Sequence, residues 1–172
     1  MVFWSRYYSY ALTCNKRANI AIPFLKGKVL DIGCGNAVLK EKLNSHCTSY
    51  TGIDISNDAS DMKIDIENPI EREKVTGTFD SIGMLAVIEH LHKPNEVTKW
   101  CNQKLKKEGV IVITTPTLLG NVILRLFSID AGHIDILNRE RLGNILLNAG
   151  FKVIYYSMFE LTANQIIVGK KE

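Results

Sequence analysis

The residues between positions 31 and 54 have the types and spacing to grip a small charged ligand. Val29-Leu30-Asp31-Ile32 reads as a buried strand, and Gly33-Cys34-Gly35 follows it as a turn into a helix near Val38. Glycines there let backbone N–H groups close on a ligand at the helix start. Many nucleotide-binding folds share such a turn, so its neighbours decide what it holds. Asp31 stands just before the turn. A carboxylate there repels a pyrophosphate and attracts an ammonium or a sulfonium. The third glycine of the dinucleotide fingerprint would fall at position 38, which is Val38. Asp54 ends the next strand at the spacing of about 20 residues that suits ribose hydroxyls. An adenosine with a cationic tail and no phosphate fits all three features, which favours S-adenosylmethionine over a dinucleotide.

Two histidines could move a proton. His90 follows the fourth strand, and His133 closes the polar stretch Ser128-Ile129-Asp130-Ala131-Gly132-His133. Imidazole suits the deprotonation of a hydroxyl near neutral pH. Each could equally pack or cap a helix, and both readings stay open. Glu89 is expected to satisfy backbone donors near the helix that follows it. Cys14, Cys34, Cys47 and Cys101 form no CxxC pair and match no zinc or disulfide framework, so free thiols and no metal are expected.

The elements that must position these residues alternate. Strands are expected at Lys28–Ile32, Tyr50–Ile55, Met62–Ile64, Phe79–Met84, Gly109–Thr115, Lys152–Ser157 and Asn164–Val168. Helices are expected at Val38–Leu43, Pro94–Leu105 and Arg139–Ala149, the last stopped by Gly150. Alternation implies an α/β fold: a Rossmann-like, mainly parallel sheet of about seven strands with helices on both faces. The final two strands lie too close for a crossover helix and must form an antiparallel hairpin. The reading is one domain over 1–172, with residues 1–27 as an N-terminal helical cap and 116–137 as a substrate-side insertion. Ligands bind beyond the carboxyl ends of strands in such sheets, where that insertion departs.

Val-Leu-Asp-Ile-Gly-Cys-Gly (29–35), Gly-Ile-Asp-Ile-Ser (52–56), Phe-Asp-Ser-Ile (79–82), Val-Ile-Glu-His-Leu (87–91), Leu-Lys-Lys-Glu-Gly-Val-Ile-Val-Ile-Thr-Thr-Pro (105–116) and Leu-Leu-Asn-Ala-Gly-Phe (146–151) occur in this order. The chain thereby resembles class I S-adenosylmethionine-dependent methyltransferases, in particular the small-molecule group with Glu-His after the fourth strand. The resemblance implies that Asp31 and the turn Gly33, Cys34 and Gly35 hold the methionine part. It places Asp54 on the ribose, Ile55 against the adenine, Asp65 on the adenine amino group and Ile66 beside it. Met84 and Leu85 would line the methionine pocket. Ala37 stands where the family usually has glycine, and the short span from Asp54 to Asp65 leaves no room for the usual helix between those strands. Asp58 and Asp61 compete with Asp65 for its role.

The expected acceptor is a small molecule, with oxygen favoured. Met84-Leu85-Ala86-Val87 replaces the Asn/Asp-Pro-Pro-Tyr/Phe signature of enzymes that methylate base amines. RNA or protein methylation, or a non-catalytic cofactor-binding role, are the alternatives. A net charge of +3 does not call for nucleic acid. The basic group Lys99, Lys104, Lys106 and Lys107 reads as the solvated face of one helix. No apolar run reaches the ~20 residues of a membrane span, no leader is evident, and a cytoplasmic location is expected. Oligomeric state is not legible.

Overall fold

The computed structural model describes residues 13–43, 47–55, 58–126 and 134–172. Its strands are β1 (Gly27–Ile32), β2 (Cys47–Asp54), β3 (Met62–Lys63), β4 (Phe79–Leu85), β5 (Leu105–Pro116), β6 (Phe151–Phe159) and β7 (Asn164–Lys171). They form one seven-stranded sheet in the order β3-β2-β1-β4-β5-β7-β6. The first five run parallel, and β7 lies antiparallel between β5 and β6. The expected C-terminal hairpin is therefore present. Strand order reverses between β1 and β4, which opens a crevice beyond their carboxyl ends.

Helices cover both faces: α1 (13–21), α2 (Val38–Lys42), α3 (Pro69–Arg72), α4 (Pro94–Lys104), α5 (Leu118–Leu126) and α6 (Arg139–Asn148). Alternation along the strands divides the core in two. Leu30, Ile32, Ile82, Met84, Ile111 and Ile113 face α4 and α6, where Val97, Trp100, Leu142 and Leu146 meet them. Val29, Val112, Ile166 and Val168 face Ala18 and Ala21 of α1 and Leu39 of α2. Ile111-Val112-Ile113 is buried on both sides, so each side chain contributes roughly 1.5–3 kcal/mol of transfer free energy. The Asn138 side chain accepts from Arg141 N and starts α6, and Gly150 (φ 84) ends it as expected.

Two local expectations are corrected. Helix α4 ends at Lys104, and β5 begins at once with Leu105 opposite Phe79. The chain then bulges before Val110 pairs with Ser81, with Glu108 left-handed (φ 65). Lys106 and Lys107 thus lie on the strand's first, exposed stretch, so the four lysines are not one helix face. Lys104 instead folds back to donate to Val75 O (2.6 Å), and Lys106 donates to Asp80 (2.8 Å). The connection from β2 to β3 does lack a helix over its described residues, which form a turn at 58–59. No helix among the described residues is long and apolar enough to cross a membrane.

Candidate active site

The Gly-rich turn is pinned to the end of β2. Gly33 N and Cys34 N both donate to Ile53 O (2.8 and 3.1 Å), and Gly35 N donates to Asp54 Oδ2 (3.0 Å). Three residues of the turn are left-handed: Gly33 (φ 68), Gly35 (φ 50) and Ala37 (φ 55). Ala37 carries a strain of about 1–2 kcal/mol that glycine would avoid. The two glycines serve different ends. A Cβ on Gly33 would overlap the Val87 Cγ2 methyl, whereas one on Gly35 would meet nothing within 4 Å. Gly33 lets the turn pack on the segment after β4, and Gly35 leaves its outer side open for a ligand to approach.

Asp31 lies opposite Gly52 of β2 and Gly83 of β4, so the sheet carries no side chain on either side of it. Its carboxylate is 2% exposed. Tyr50 donates its phenol O–H to Asp31 Oδ2 (2.7 Å). The phenol reaches there along its own strand: Tyr50 Oη lies 2.9 Å from where a Gly52 Cβ would stand. Burial pushes the Asp31 carboxyl up to about 7; the Tyr50 hydrogen bond opposes this and the Asp54 charge adds to it. Burial together with Asp31 and the neighbouring aspartates pushes the Cys34 thiol up to about 12, so it is no thiolate near neutral pH. Tyr50 is raised by burial and by Asp31, and it remains a donor. Neither Tyr50 nor the pair of strand glycines stands out in the sequence as part of the site. The available signal is an aromatic two residues before a glycine on a strand face.

The three aspartates weighed for the adenine separate clearly. Asp61 accepts from Gly52 N (2.7 Å) and from Lys40 Nζ (2.9 Å), so it braces β2 against α2. The Gly52 and Lys40 bonds hold its carboxyl below the usual range. Asp58 is exposed and takes Lys63 Nζ (2.5 Å). Asp65 is half-buried just past β3, its N–H donating to Glu71 (2.8 Å) and its Oδ1 accepting from Glu67 N (2.9 Å). Ile66 beside it is buried. Ile55, next to Asp54, is 68% exposed, an apolar side chain that a flat base could cover. At the end of β4, Met84 is fully buried on the α4 and α6 face, while half-buried Leu85 turns to the α1 and α2 face.

His90 ends a short 3-10 turn, Ile88–His90, and its side chain is exposed. His133 lies outside the described residues. Glu89 corrects an expectation. Rather than binding backbone donors, its carboxylate is 1% exposed, and neither oxygen has a hydrogen-bond partner among the described residues. Only its carbonyl is used, accepting from Ile134 N (2.9 Å) and Asp135 N (3.3 Å). Burial holds the Glu89 carboxyl above its usual range, against its own backbone N–H, the Arg17 charge, Thr115 and the His90 charge. Among the described residues no cluster of His, Cys, Asp and Glu could hold a metal.

A family model described as a methyltransferase domain matches residues 4–156. The ubiquinone biosynthesis O-methyltransferase of Glaesserella parasuis is 31% identical over 105 residues, 51% of this chain and 44% of that protein. A methyltransferase structure from Archaeoglobus fulgidus superposes with a TM-score of 0.77 at 24% identity, covering 92% of this chain and 93% of that one. Magnesium protoporphyrin IX methyltransferase from Synechocystis, solved with bound S-adenosylhomocysteine, gives 0.70 at 17% identity over 94% and 84%. The sheet order and the pinned glycine turn define a class I S-adenosylmethionine-dependent methyltransferase fold. The chain belongs to that methyltransferase family. It spans less than half the length of the curated relatives it matches.

The residues present fit the family's cofactor. Asp31 offers a buried carboxylate to an ammonium, Gly35 leaves room for close approach, and Asp54 ends β2 against the turn. A pH dependence follows. A cationic ammonium favours ionised Asp31, whose carboxyl sits at about 7 in the free protein. An ammonium bound at Asp31 would expel the proton below that pH, so affinity should fall toward tenfold per pH unit under about pH 7. Above about pH 8 the ligand's own α-amino group loses its charge, which weakens binding again. Calorimetric titration between pH 5.5 and about 9 should show an optimum between these limits, with proton release on the acid side. Affinity that stays flat through the acid range would show that the ammonium does not sit on Asp31.

Proposed function

We propose that the chain transfers a methyl group from S-adenosylmethionine to a hydroxyl oxygen of a small organic acceptor. The observation that carries the reading is the buried Asp31 carboxylate beside a glycine turn held to Asp54, within a methyltransferase-family chain. When bound, the cofactor supplies a methyl group made electrophilic by its sulfonium. Asp31 would take the ammonium, and backbone groups of Gly33, Cys34 and Gly35 the methionine part. Asp54 would take the ribose hydroxyls, Ile55 and Ile66 the faces of the adenine, and Asp65 its amino group. Leu85, at the switch point, would line the way to the methyl group, with Met84 packed behind it.

Methyl transfer is an in-line displacement with a neutral leaving group, so aligning donor and acceptor and excluding water supply most of the rate. Residues 116–137 leave from the carboxyl end of β5, and α5 there exposes Leu118, Leu119 and Val122. That apolar surface suits an organic acceptor. Met84-Leu85-Ala86-Val87 speaks against a base amine, and the relatives' name, ubiquinone biosynthesis O-methyltransferase, agrees with oxygen. His90 and His133 are the imidazoles proposed to take the hydroxyl's proton. Incubating the protein with methyl-labelled cofactor and a metabolite extract should give a labelled methyl ether by mass analysis. Intact cofactor binding with no labelled product would favour a binding protein instead.

A further inference from the structure

Among the described residues, six buried side-chain atoms lack a hydrogen-bond partner, and four of them are Arg17 Nε, Glu89 Oε1, Glu89 Oε2 and Thr115 Oγ1. These three residues are far apart in sequence, yet Arg17 and Thr115 are among the groups that act on the Glu89 carboxylate, with its own backbone N–H and His90. The fold holds each in place. Arg17 Nη2 donates to Asn164 Oδ1 (3.1 Å) at the start of β7. Ala86 N donates to Thr114 O (2.8 Å), which ties the Glu89 turn to the end of β5. The Glu89 N–H and the Thr115 hydroxyl lie near this carboxylate without forming a well-aligned hydrogen bond to it. A buried carboxylate left so is costly, by several kcal/mol in general, and such groups concentrate where a ligand completes them.

We propose that Arg17, Glu89 and Thr115 seat the acceptor's hydroxyl, and that Glu89, in place of His90 or His133, takes its proton. This rests on the methyl-transfer reading above and deepens it. A hydroxyl both donates and accepts, so it can donate to Glu89 while accepting from Arg17 Nε or Thr115 Oγ. An aromatic amine's lone pair is delocalised into its ring and accepts poorly from the guanidinium, and a thioether or carbon acceptor has no proton to give the carboxylate. Thr115 lies at the end of β5 beside Thr114, which pairs with Leu85 at the end of β4, and Glu89 follows β4 by four residues. In the step, the acceptor's O–H bond breaks and its proton goes to a Glu89 carboxylate oxygen. The oxygen's electron pair forms the O–CH3 bond, and the S–CH3 pair returns to sulfur, which becomes neutral. A carboxyl raised by burial suits a base working near neutral pH.

The test uses the whole chain, with catechol and aniline as probe acceptors and Glu89→Gln as a variant of nearly the same shape. Wild type should methylate catechol and not aniline. Glu89→Gln should lower catechol turnover by at least about a hundredfold and leave cofactor affinity within about twofold. It should also raise the melting temperature of the cofactor-free protein, because a group kept for a ligand destabilises the free fold. Thr115→Val should raise KM for catechol more than it lowers kcat. A lower melting temperature in Glu89→Gln, or undiminished turnover, would make Glu89 structural and overturn the proposal. Methylation of aniline alone would overturn the hydroxyl seat while methyl transfer stands. Cofactor binding with neither probe methylated would count against both readings.

Discussion

Asparagine in place of Asp31 is expected to weaken S-adenosylmethionine binding by about ten- to a hundredfold. The side chain keeps its shape, and its amide oxygen can still accept the Tyr50 phenol now 2.7 Å from Asp31 Oδ2. What it loses is the charge proposed to face the ligand's ammonium, and a charge-assisted hydrogen bond contributes about 1.5–3 kcal/mol. The same change should stabilise the free protein above about pH 7. There the buried carboxylate is ionised between two strand glycines, with the Tyr50 phenol donating to it. The sign follows from the titration. A carboxyl raised from 3.8 to about 7 is protonated in the folded state over a range where the unfolded chain has already ionised. Folding stability from this group therefore falls as pH rises through that window and stays low above it. Melting curves of both proteins at acid and alkaline pH should converge at the acid end. Unchanged affinity in the asparagine variant would place the ammonium elsewhere.

Alanine at Gly33 is the second large effect. At φ 68 a Cβ brings a strain of about 1–2 kcal/mol, and its overlap with Val87 adds about 1–3 kcal/mol of overpacking. For a chain of this size the melting temperature should drop by roughly 5–15 °C. Gly35→Ala provides the contrast. With φ 50 but nothing within 4 Å of its Cβ, it should lose only about 1–2 kcal/mol of stability, while its methyl fills the side left open to the ligand. Thermal scans with and without cofactor separate the two. Equal stability losses would mean that the turn does not pack on the segment after β4.

Features read from local pattern were legible in the sequence. Buried runs such as Val110–Ile113 mark strands covered on both faces, Gly150 stops α6, and the short span before Asn164 forces the hairpin. Asp31, the glycine turn and Asp54 were legible because one strand–turn–helix unit carries most of their geometry. What depends on register was not. Tyr50 reaches Asp31 only because Asp31 pairs with Gly52, and pairing between strands leaves no local mark. Lys104, Lys106 and Lys107 mimic a helix face because a run of charges carries no period at the point where α4 becomes β5. Glu89 misleads for a similar reason. A glutamate just before a helix reads as a partner for the helix's backbone donors, but α1 and the end of β5 act on it from distant parts of the chain.

A carboxylate-lined crevice at Asp31 and Asp54 is proposed to select a cationic adenosine over a phosphate-bearing one. The most direct measurement is thermal denaturation of the purified protein with S-adenosylmethionine, S-adenosylhomocysteine, NAD and ATP in parallel. At about 100 times its dissociation constant a selective ligand stabilises the fold by ~2.7 kcal/mol, a rise of about 5–10 °C for a chain of this length. S-adenosylmethionine and S-adenosylhomocysteine should produce that rise, while NAD and ATP leave the transition where it was. An equal rise with NAD would contradict the roles given to Asp31 and Asp54.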